Sequence, residues 1–173
     1  DYIFSKKCNV SAHYQIKKKE RYGEPYLYNK LKLQCQYFPM KTLEIRLSTR
    51  CTTVRDQQHQ RVKGYMGNAI LKWHEKKDRI KLALSYAYFN SEDYKAPMSF
   101  YEPSLLYTYS FMTMYGKGMR AACLAEWNIS NHFMLMLKYG ITAYTDRTEI
   151  GEGLQRIGSR YKNDLSFLLK CKF

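Results

Sequence analysis

Apolar and polar residues alternate along most of this 173-residue chain. A period of two is that of a β-strand whose two faces meet different surroundings. The pattern is clearest at the C-terminal end, where Leu165, Phe167 and Leu169 share one phase and Asp164 and Ser166 share the other. Seven earlier segments repeat it. We predict eight strands, at about 4–16, 26–37, 42–53, 64–74, 79–89, 119–129, 133–145 and 163–173.

The two phases differ in composition in a way that bears on the fold. One phase is rich in Leu, Ile and aromatic residues, and the other carries Lys, Arg, Gln and Ser. A soluble up-and-down barrel would hold the apolar set inside, but an eight-stranded barrel is too narrow for so many large side chains. The sequence therefore predicts an all-β fold, an eight-stranded antiparallel transmembrane up-and-down β-barrel whose last strand closes on the first.

The connections between the strands alternate in length, which supports this arrangement. Short turns at 38–41, 75–78 and 130–132 fall at one end, and long outer loops at 17–25, 54–63, 90–118 and 146–160 fall at the other. Outer-membrane barrels have short periplasmic turns and long outer loops. A periplasmic aromatic girdle is then predicted from Tyr37, Trp73, Trp127, Phe133 and Phe173. Length favours one domain over 1–173, with the C-terminal part of a larger barrel as the alternative.

The chain has a formal net charge of +14, a value that first suggests nucleic acid. The basic residues, however, alternate with apolar ones inside strands, and no nucleic-acid-binding motif is present. We instead predict outer-membrane lipids and glycolipid as partners, with cations at the outer end contacting glycolipid phosphates. These cations are Lys17, Lys18, Lys19, Arg21, Arg55, Arg61 and Lys63.

Charged residues on the inward phase would crowd a narrow lumen, where unpaired charges are costly. We predict an ion-pair network with Glu44 and Glu126 as its hubs and water around the surplus cations. The other members are Arg46, Arg50, Lys72, Lys81, Arg120, Lys138 and Lys170. A lumen filled in this way predicts that the barrel does not conduct.

Candidate catalytic and metal-binding residues are few. The five cysteines fall on the outward phase, where they act as small apolar residues, and no two have metal-ligand spacing. Ser11 and His13 share the inward phase, but no third group to orient them stands out. We expect no enzymatic activity, no metal and no cofactor.

The loop 90–118 is too apolar to be free in water. Its large residues are Phe100, Tyr101, Leu105, Leu106, Tyr107, Tyr109 and Phe111. The alternation around Leu105–Phe111 also fits a ninth strand, but nine strands would put the long loop 54–63 and the short turn 75–78 on the wrong sides. We predict one outer loop, carrying its own hairpin, that covers the barrel mouth or docks on a partner protein.

The last third of the chain resembles a Bacteroidota outer-membrane family that joins a helix-hairpin-helix segment to a C-terminal β-barrel. The resemblance lies in Tyr101-Glu102, Leu105-Leu106-Tyr107, Tyr115-Gly116-Lys117-Gly118, Tyr144, Asp146-Arg147, Ile150-Gly151, Gly153-Leu154-Gln155, Ile157, Lys162 and Lys172-Phe173. It covers about 100–173, and the helix-hairpin-helix segment is absent. The resemblance implies a barrel in the cell outer membrane of a Gram-negative bacterium and no particular chemistry.

From these features we expect a structural or accessory subunit of an outer-membrane protein complex. Its contacts with other outer-membrane proteins would run through the loop 90–118. The alternative is part of a wider porin-like transport barrel, and a lipid-modifying enzyme is the third hypothesis.

Overall fold

The computed structural model describes residues 2–5, 7–21, 24–55, 61–92, 94, 96–151 and 153–172. Antiparallel β-strands make up most of this part of the chain. They are β1 (Tyr2–Ser5), β2 (Cys8–Arg21), β3 (Glu24–Met40), β4 (Leu43–Arg55), β5 (Arg61–His74), β6 (Ile80–Ser91), β7 (Met98–Tyr101), β8 (Phe111–Met114), β9 (Gly116–Asn128), β10 (Phe133–Tyr144) and β11 (Tyr161–Cys171). A short 3₁₀ helix, Gly153–Gln155, lies in the last loop.

Nine strands form one sheet in the order β1-β2-β3-β4-β5-β6-β9-β10-β11, and β7 and β8 form a separate hairpin. Eight of the nine are long, and they correspond to the eight predicted strands. The prediction of an all-β fold with eight long antiparallel strands is confirmed. The segment 90–118 leaves the sheet between β6 and β9 and carries the hairpin β7–β8.

Two predicted loops are shorter than expected. The strands β2 and β3 stay paired as far as Arg21 and Glu24, so most of the predicted loop 17–25 is strand. Tyr26, Leu27 and Tyr28 suit a pleated ladder, and the pairing continues through them. Likewise, β4 and β5 remain paired as far as Arg55 and Arg61, which shortens the predicted loop 54–63.

The predicted pairing of the last strand with the first is not formed in the described residues. The strand β11 pairs with β10 alone, which leaves β1 and β11 as the two edges of the sheet. Tyr2–Ser5, expected to belong partly to the first long strand, forms the separate strand β1 against Cys8–Val10. In an antiparallel sheet of nine sequential strands the first and last run parallel, so closure through β1 would require a parallel pair.

The two faces of the sheet follow the two phases of the sequence. We call one the apolar face; Leu47 and Leu84, for example, are 52% and 50% exposed there. We call the other the polar face, and the hairpin β7–β8 covers much of it. Its buried polar residues are Thr52, Asn68, Ser85, Ser91, Arg120, Lys138 and Thr142.

Candidate functional site

The hairpin β7–β8 extends along the polar face of the sheet. Near the end where the long loops lie, Arg50 of β4 donates a hydrogen bond to the Ser99 carbonyl. Further along, the Tyr101 ring lies 5.9 Å from the Arg46 guanidinium and 5.6 Å from Lys72 Nζ. The segment after β7 reaches the end with the short turns, where Lys170 Nζ donates to the Tyr107 hydroxyl at 2.9 Å. This bond lowers the pKa of Tyr107.

An apolar core joins the hairpin to the sheet at the loop end. Phe100 is 1% exposed, and the rings of Phe89 and Tyr144 meet edge to face at 5.6 Å. The buried residues of this core are Met66, Ala87, Phe89, Met98, Phe100, Met114 and Tyr144. Burying a Phe or Met side chain contributes about 1.5–3 kcal/mol, so this core alone holds the hairpin firmly to the polar face.

A buried cluster of charges follows the apolar core. Glu102, which is fully buried, accepts hydrogen bonds from Arg120 at 2.7 and 3.0 Å. Lys138 Nζ lies 2.7 Å from the same carboxylate. Arg120 also donates to Asp164 at 2.8 and 3.0 Å and to Thr142 at 2.8 Å. Glu102 thus joins the hairpin segment to β9 and β10, and Arg120 extends the cluster to β11 through Asp164.

Glu102 and Asp164 were not predicted as members of the ion-pair network. Glu102 lay in a predicted loop, and nothing in its neighbours indicates that it turns inward. One residue of the sequence does point to the cluster: Gly140 lies between the side chains of Arg120 and Asp164. A Cβ there would lie 2.6 Å from Arg120 Nη2 and 2.6 Å from an Asp164 oxygen, so the glycine leaves room for the guanidinium.

The two carboxylates predicted as hubs lie toward the turn end. Glu44 accepts from Arg46 at 2.6 Å and from Gln36 at 2.8 Å, and Lys72 Nζ lies 3.9 Å away. Lys81 Nζ donates to Glu126 at 2.9 Å. The structure therefore divides the predicted network into separate clusters. Four predicted members have partners that were not predicted. Arg50 binds a carbonyl and Lys170 a phenol, Lys138 binds the missed acid Glu102, and Arg120 binds both Glu102 and Asp164.

A cavity of about 410 Å³ lies between the hairpin and the turn end of the sheet. Its wall combines the Glu44–Lys72 and Lys81–Glu126 pairs with Tyr101 and Leu106 of the hairpin segment. Both carboxylates have a cation beside them. The wall therefore has little uncompensated charge with which to select a charged ligand.

The large residues of the segment 90–118 divide into two groups. Phe100 and Leu105 are buried against the sheet, and Tyr101 is half-buried beside Arg46 and Lys72. Four others are exposed to different degrees, with Tyr107 at 84% and Tyr109 at 82%. The exposed group is Leu106, Tyr107, Tyr109 and Phe111.

Residues that carry the family resemblance meet where β9 begins and β10 ends. The Arg147 guanidinium lies 5.1 Å from the Tyr115 ring and 4.5 Å from the Tyr144 ring. Arg147 also donates two hydrogen bonds to Asp146, which lower the pKa of that carboxyl. Gly116 has φ +81°, a backbone conformation that favours glycine, and a Cβ there would meet the Arg147 guanidinium. These residues therefore have a structural role where β9 begins and β10 ends.

Four of the five predicted girdle residues lie at the turn end of the apolar face and are exposed. They are Tyr37, Trp73, Trp127 and Phe133. Phe173 lies outside the described residues.

The predicted phosphate-contacting cations lie near the loop end of the sheet, on both faces. Residues directly opposite on successive strands form what we call a cross-strand row. One such row contains Lys18, Arg55 and Arg61 on the same side as the apolar face, with Leu27 between the first two. Lys63 follows on the same phase of β5, whereas Lys17 points to the opposite side. For Lys19 and Arg21 the structure describes the backbone but not the side chains.

Few groups suited to catalysis meet in the described part of the chain. His13 lies opposite Lys32, and Ser11 lies opposite Gln34, so neither has a carboxylate across the strand pair. The five cysteines are free, and Cys8 and Cys35 are diagonal neighbours on β2 and β3. Among the described residues, no group of three or more His, Cys, Asp or Glu side chains is arranged to hold a metal ion.

No known protein family, curated protein or solved structure matches the chain. The described residues contain no helix that is long and apolar enough to cross a membrane.

Proposed function

We propose that this chain is a non-enzymatic β-barrel of the outer membrane of a Gram-negative bacterium, built on its eight long strands. In this proposal it serves as a structural or accessory subunit of an outer-membrane protein complex. The observation that carries the proposal is the distribution of the two faces. The sheet exposes Leu, Tyr and Trp on one face and buries Arg120, Lys138 and Glu102 beneath the hairpin on the other. Lipid is the surrounding in which that distribution is favourable.

The hairpin supports a closed, non-conducting interior. It brings Phe100, Leu105 and Glu102 onto the polar face, so the hairpin segment obstructs the interior of the proposed barrel and leaves separate cavities rather than a continuous channel. In this proposal the barrel does not conduct ions.

Contacts with lipid and with partner proteins use different surfaces in the proposal. The cations Lys18, Arg55 and Arg61 in one row beside the apolar face suit the phosphates of an outer-leaflet glycolipid. Partner proteins would contact the exposed aromatic residues of 90–118, among them Tyr109, whose ring lies 6.1 Å from that of Phe111.

The open edges of the sheet favour a second candidate, part of a wider porin-like barrel. Leu165 and Phe167 of β11 are 68% and 75% exposed, more than Leu47 or Leu84 in the middle of the sheet. Further strands, paired with β11 or with β1, would cover these edges. The native oligomeric state and polypeptide mass distinguish the two candidates.

Replacing residues 98–113 with a short Gly/Ser linker tests the role of the hairpin segment. We expect the variant to lose the heat-modifiable gel mobility of a folded barrel, because it lacks Phe100 and Glu102. A variant with only Tyr109 and Phe111 changed to Ser should keep that mobility and lose co-purifying outer-membrane proteins. If both variants keep both properties, the segment is passive and the proposal for its role is wrong.

A further inference from the structure

Three basic residues form one cross-strand row on the polar face of β2, β3 and β4. His13 lies opposite Lys32, and Lys32 lies opposite Arg50. Like charges directly opposite each other destabilise a strand pair. Neutral residues and one further cation occupy the rows on either side: Ser11, Gln34 and Ser48 on one side, and Gln15, Lys30 and Thr52 on the other.

The charges of Lys32 and Arg50 have no counter-charge in the described part of the chain. Neither residue is in an ion pair there, whereas Arg46, Lys72, Lys81, Arg120 and Lys138 each lie beside a carboxylate. Arg50 donates to the neutral carbonyl of Ser99. Its Nε is buried and has no hydrogen-bond partner among the described residues. A guanidinium in this position lacks the anion that would offset the cost of burying it.

A cavity of about 220 Å³ lies over this row. The sheet contributes His13, Lys32 and Arg50 to its wall, and the start of the hairpin contributes Pro97, Met98 and Ser99. Sites for drug-sized ligands are larger, about 300–1,000 Å³. The cavity therefore suits a small ligand, and its cationic wall suits an anion.

We propose that this cavity binds a small oxyanion of the phosphate class. Two fixed positive charges, on Lys32 and Arg50, match the two negative charges of a phosphate or a phosphate monoester. Arg50 supplies a planar fork of donors and Lys32 a compact charge, the two common ways in which proteins hold phosphate. His13 supplies a third donor from β2. The ligand is either free phosphate or the phosphate of a lipid headgroup, since both present the same group.

The proposal can be tested by calorimetric titration of the whole purified chain in phosphate-free buffer. The two ligands to titrate are inorganic phosphate and dihexanoyl phosphatidic acid. Dihexanoyl phosphatidylcholine controls for binding of the acyl chains. The informative variant is Lys32→Gln, because Arg50→Gln would also lose the bond to Ser99. The matched control is Lys81→Gln, which removes a cation of the same face that has Glu126 as its partner. Removing one charged hydrogen-bond donor should weaken binding roughly 10- to 100-fold.

We expect one site for inorganic phosphate or phosphatidic acid that Lys32→Gln weakens by that factor and Lys81→Gln leaves unchanged. Binding of phosphatidic acid alone would identify a lipid headgroup as the ligand and support the site. At the same concentration the ligand should also raise the thermal unfolding midpoint of the wild type more than that of Lys32→Gln, since stabilisation by a ligand depends on its affinity. The proposal is overturned if neither probe binds, or if Lys32→Gln and Lys81→Gln weaken binding equally.

Discussion

The polar face of the sheet has two halves that carry basic residues in different ways. In the half formed by β9, β10 and β11, the hairpin supplies Glu102, and Arg120 and Lys138 bind it in a fully buried cluster. In the half formed by β2, β3 and β4, Lys32 and Arg50 have no acid beside them in the described residues, and a cavity lies over them. The same residue types are therefore structural in one half and available to a ligand in the other.

The hairpin segment is the reason for this difference. Its acid, Glu102, comes after β7, where the chain has crossed to the side of β9–β11. Over β2–β4 the hairpin presents the Ser99 carbonyl and the apolar Met98, which cannot neutralise a cation. On this face of the sheet the position of one carboxylate matters more than the net charge.

The largest expected effect is that of Glu102→Gln. The substitution leaves the buried Lys138 without its ion-pair partner, and Arg120 with Asp164 alone, since both cations bind Glu102. Breaking a buried ion pair by removing one partner costs about 3–5 kcal/mol. Denaturant unfolding, followed by gel mobility or tryptophan fluorescence, should show this loss of stability.

The control for that substitution is Glu149→Gln, which acts on the solvent-exposed pair with Arg156. Pairs that are open to solvent contribute about 0–1 kcal/mol, so the control should be close to the wild type. Equal losses from the two substitutions would show that the cluster around Glu102 is not a buried centre of the fold.

A smaller effect, on the opposite face, is expected from Leu84→Arg. In the proposed barrel both halves of the polar face point inward, and the apolar face therefore points toward lipid. Arginine near the bilayer midplane costs about 2–4 kcal/mol. Unfolding in lipid vesicles measures the cost, with Lys63→Glu at the loop end as the control. If Leu84→Arg lowers the free energy of unfolding no more than Lys63→Glu does, the apolar face does not contact lipid.

The smallest effect, and one of the opposite sign, is expected from Lys32→Gln. Removing a charge that lies opposite Arg50 relieves repulsion, so the variant should be as stable as the wild type or more stable by about 0.2–1 kcal/mol. The matched substitution Lys138→Gln should be destabilising, because it leaves Glu102 with one cation fewer. Unfolding of the two variants side by side, without phosphate, gives the comparison. Equal destabilisation would mean that the two halves do not differ.

The sequence was sufficient to predict the strands and their faces. Alternation alone places Leu47, Leu84 and Lys138 on the correct faces, because side chains in a strand have a period of two. An error of one residue in the assigned phase would have put every side chain of that strand on the wrong face. The strand ends at Arg21 and Arg55 were missed, since paired strands continue beyond the strongly alternating region wherever the residues allow it.

The candidate site could be predicted only in part. Glu44 and Glu126 lie on strands, so their faces follow from the alternation, and both lie beside cations. Glu102 follows β7 in an irregular segment, where the sequence has no period from which to read direction. Its burial depends on the path of the hairpin across the sheet. That path is set by Phe100 and Met98 packing against Phe89, contacts between residues distant in sequence.

The central claim is that the apolar face contacts lipid, and the two tryptophans of the chain test it directly. Trp73 and Trp127 both lie at the turn end of that face and are 38% and 51% exposed. Their fluorescence should be measured in vesicles of phosphatidylcholine with and without bromine on the acyl chains. We predict strong quenching by brominated lipid, greater when the bromine lies near the headgroup than near the chain end, because the proposed girdle places both residues at the membrane interface. Equal fluorescence in brominated and unbrominated vesicles would contradict the claim.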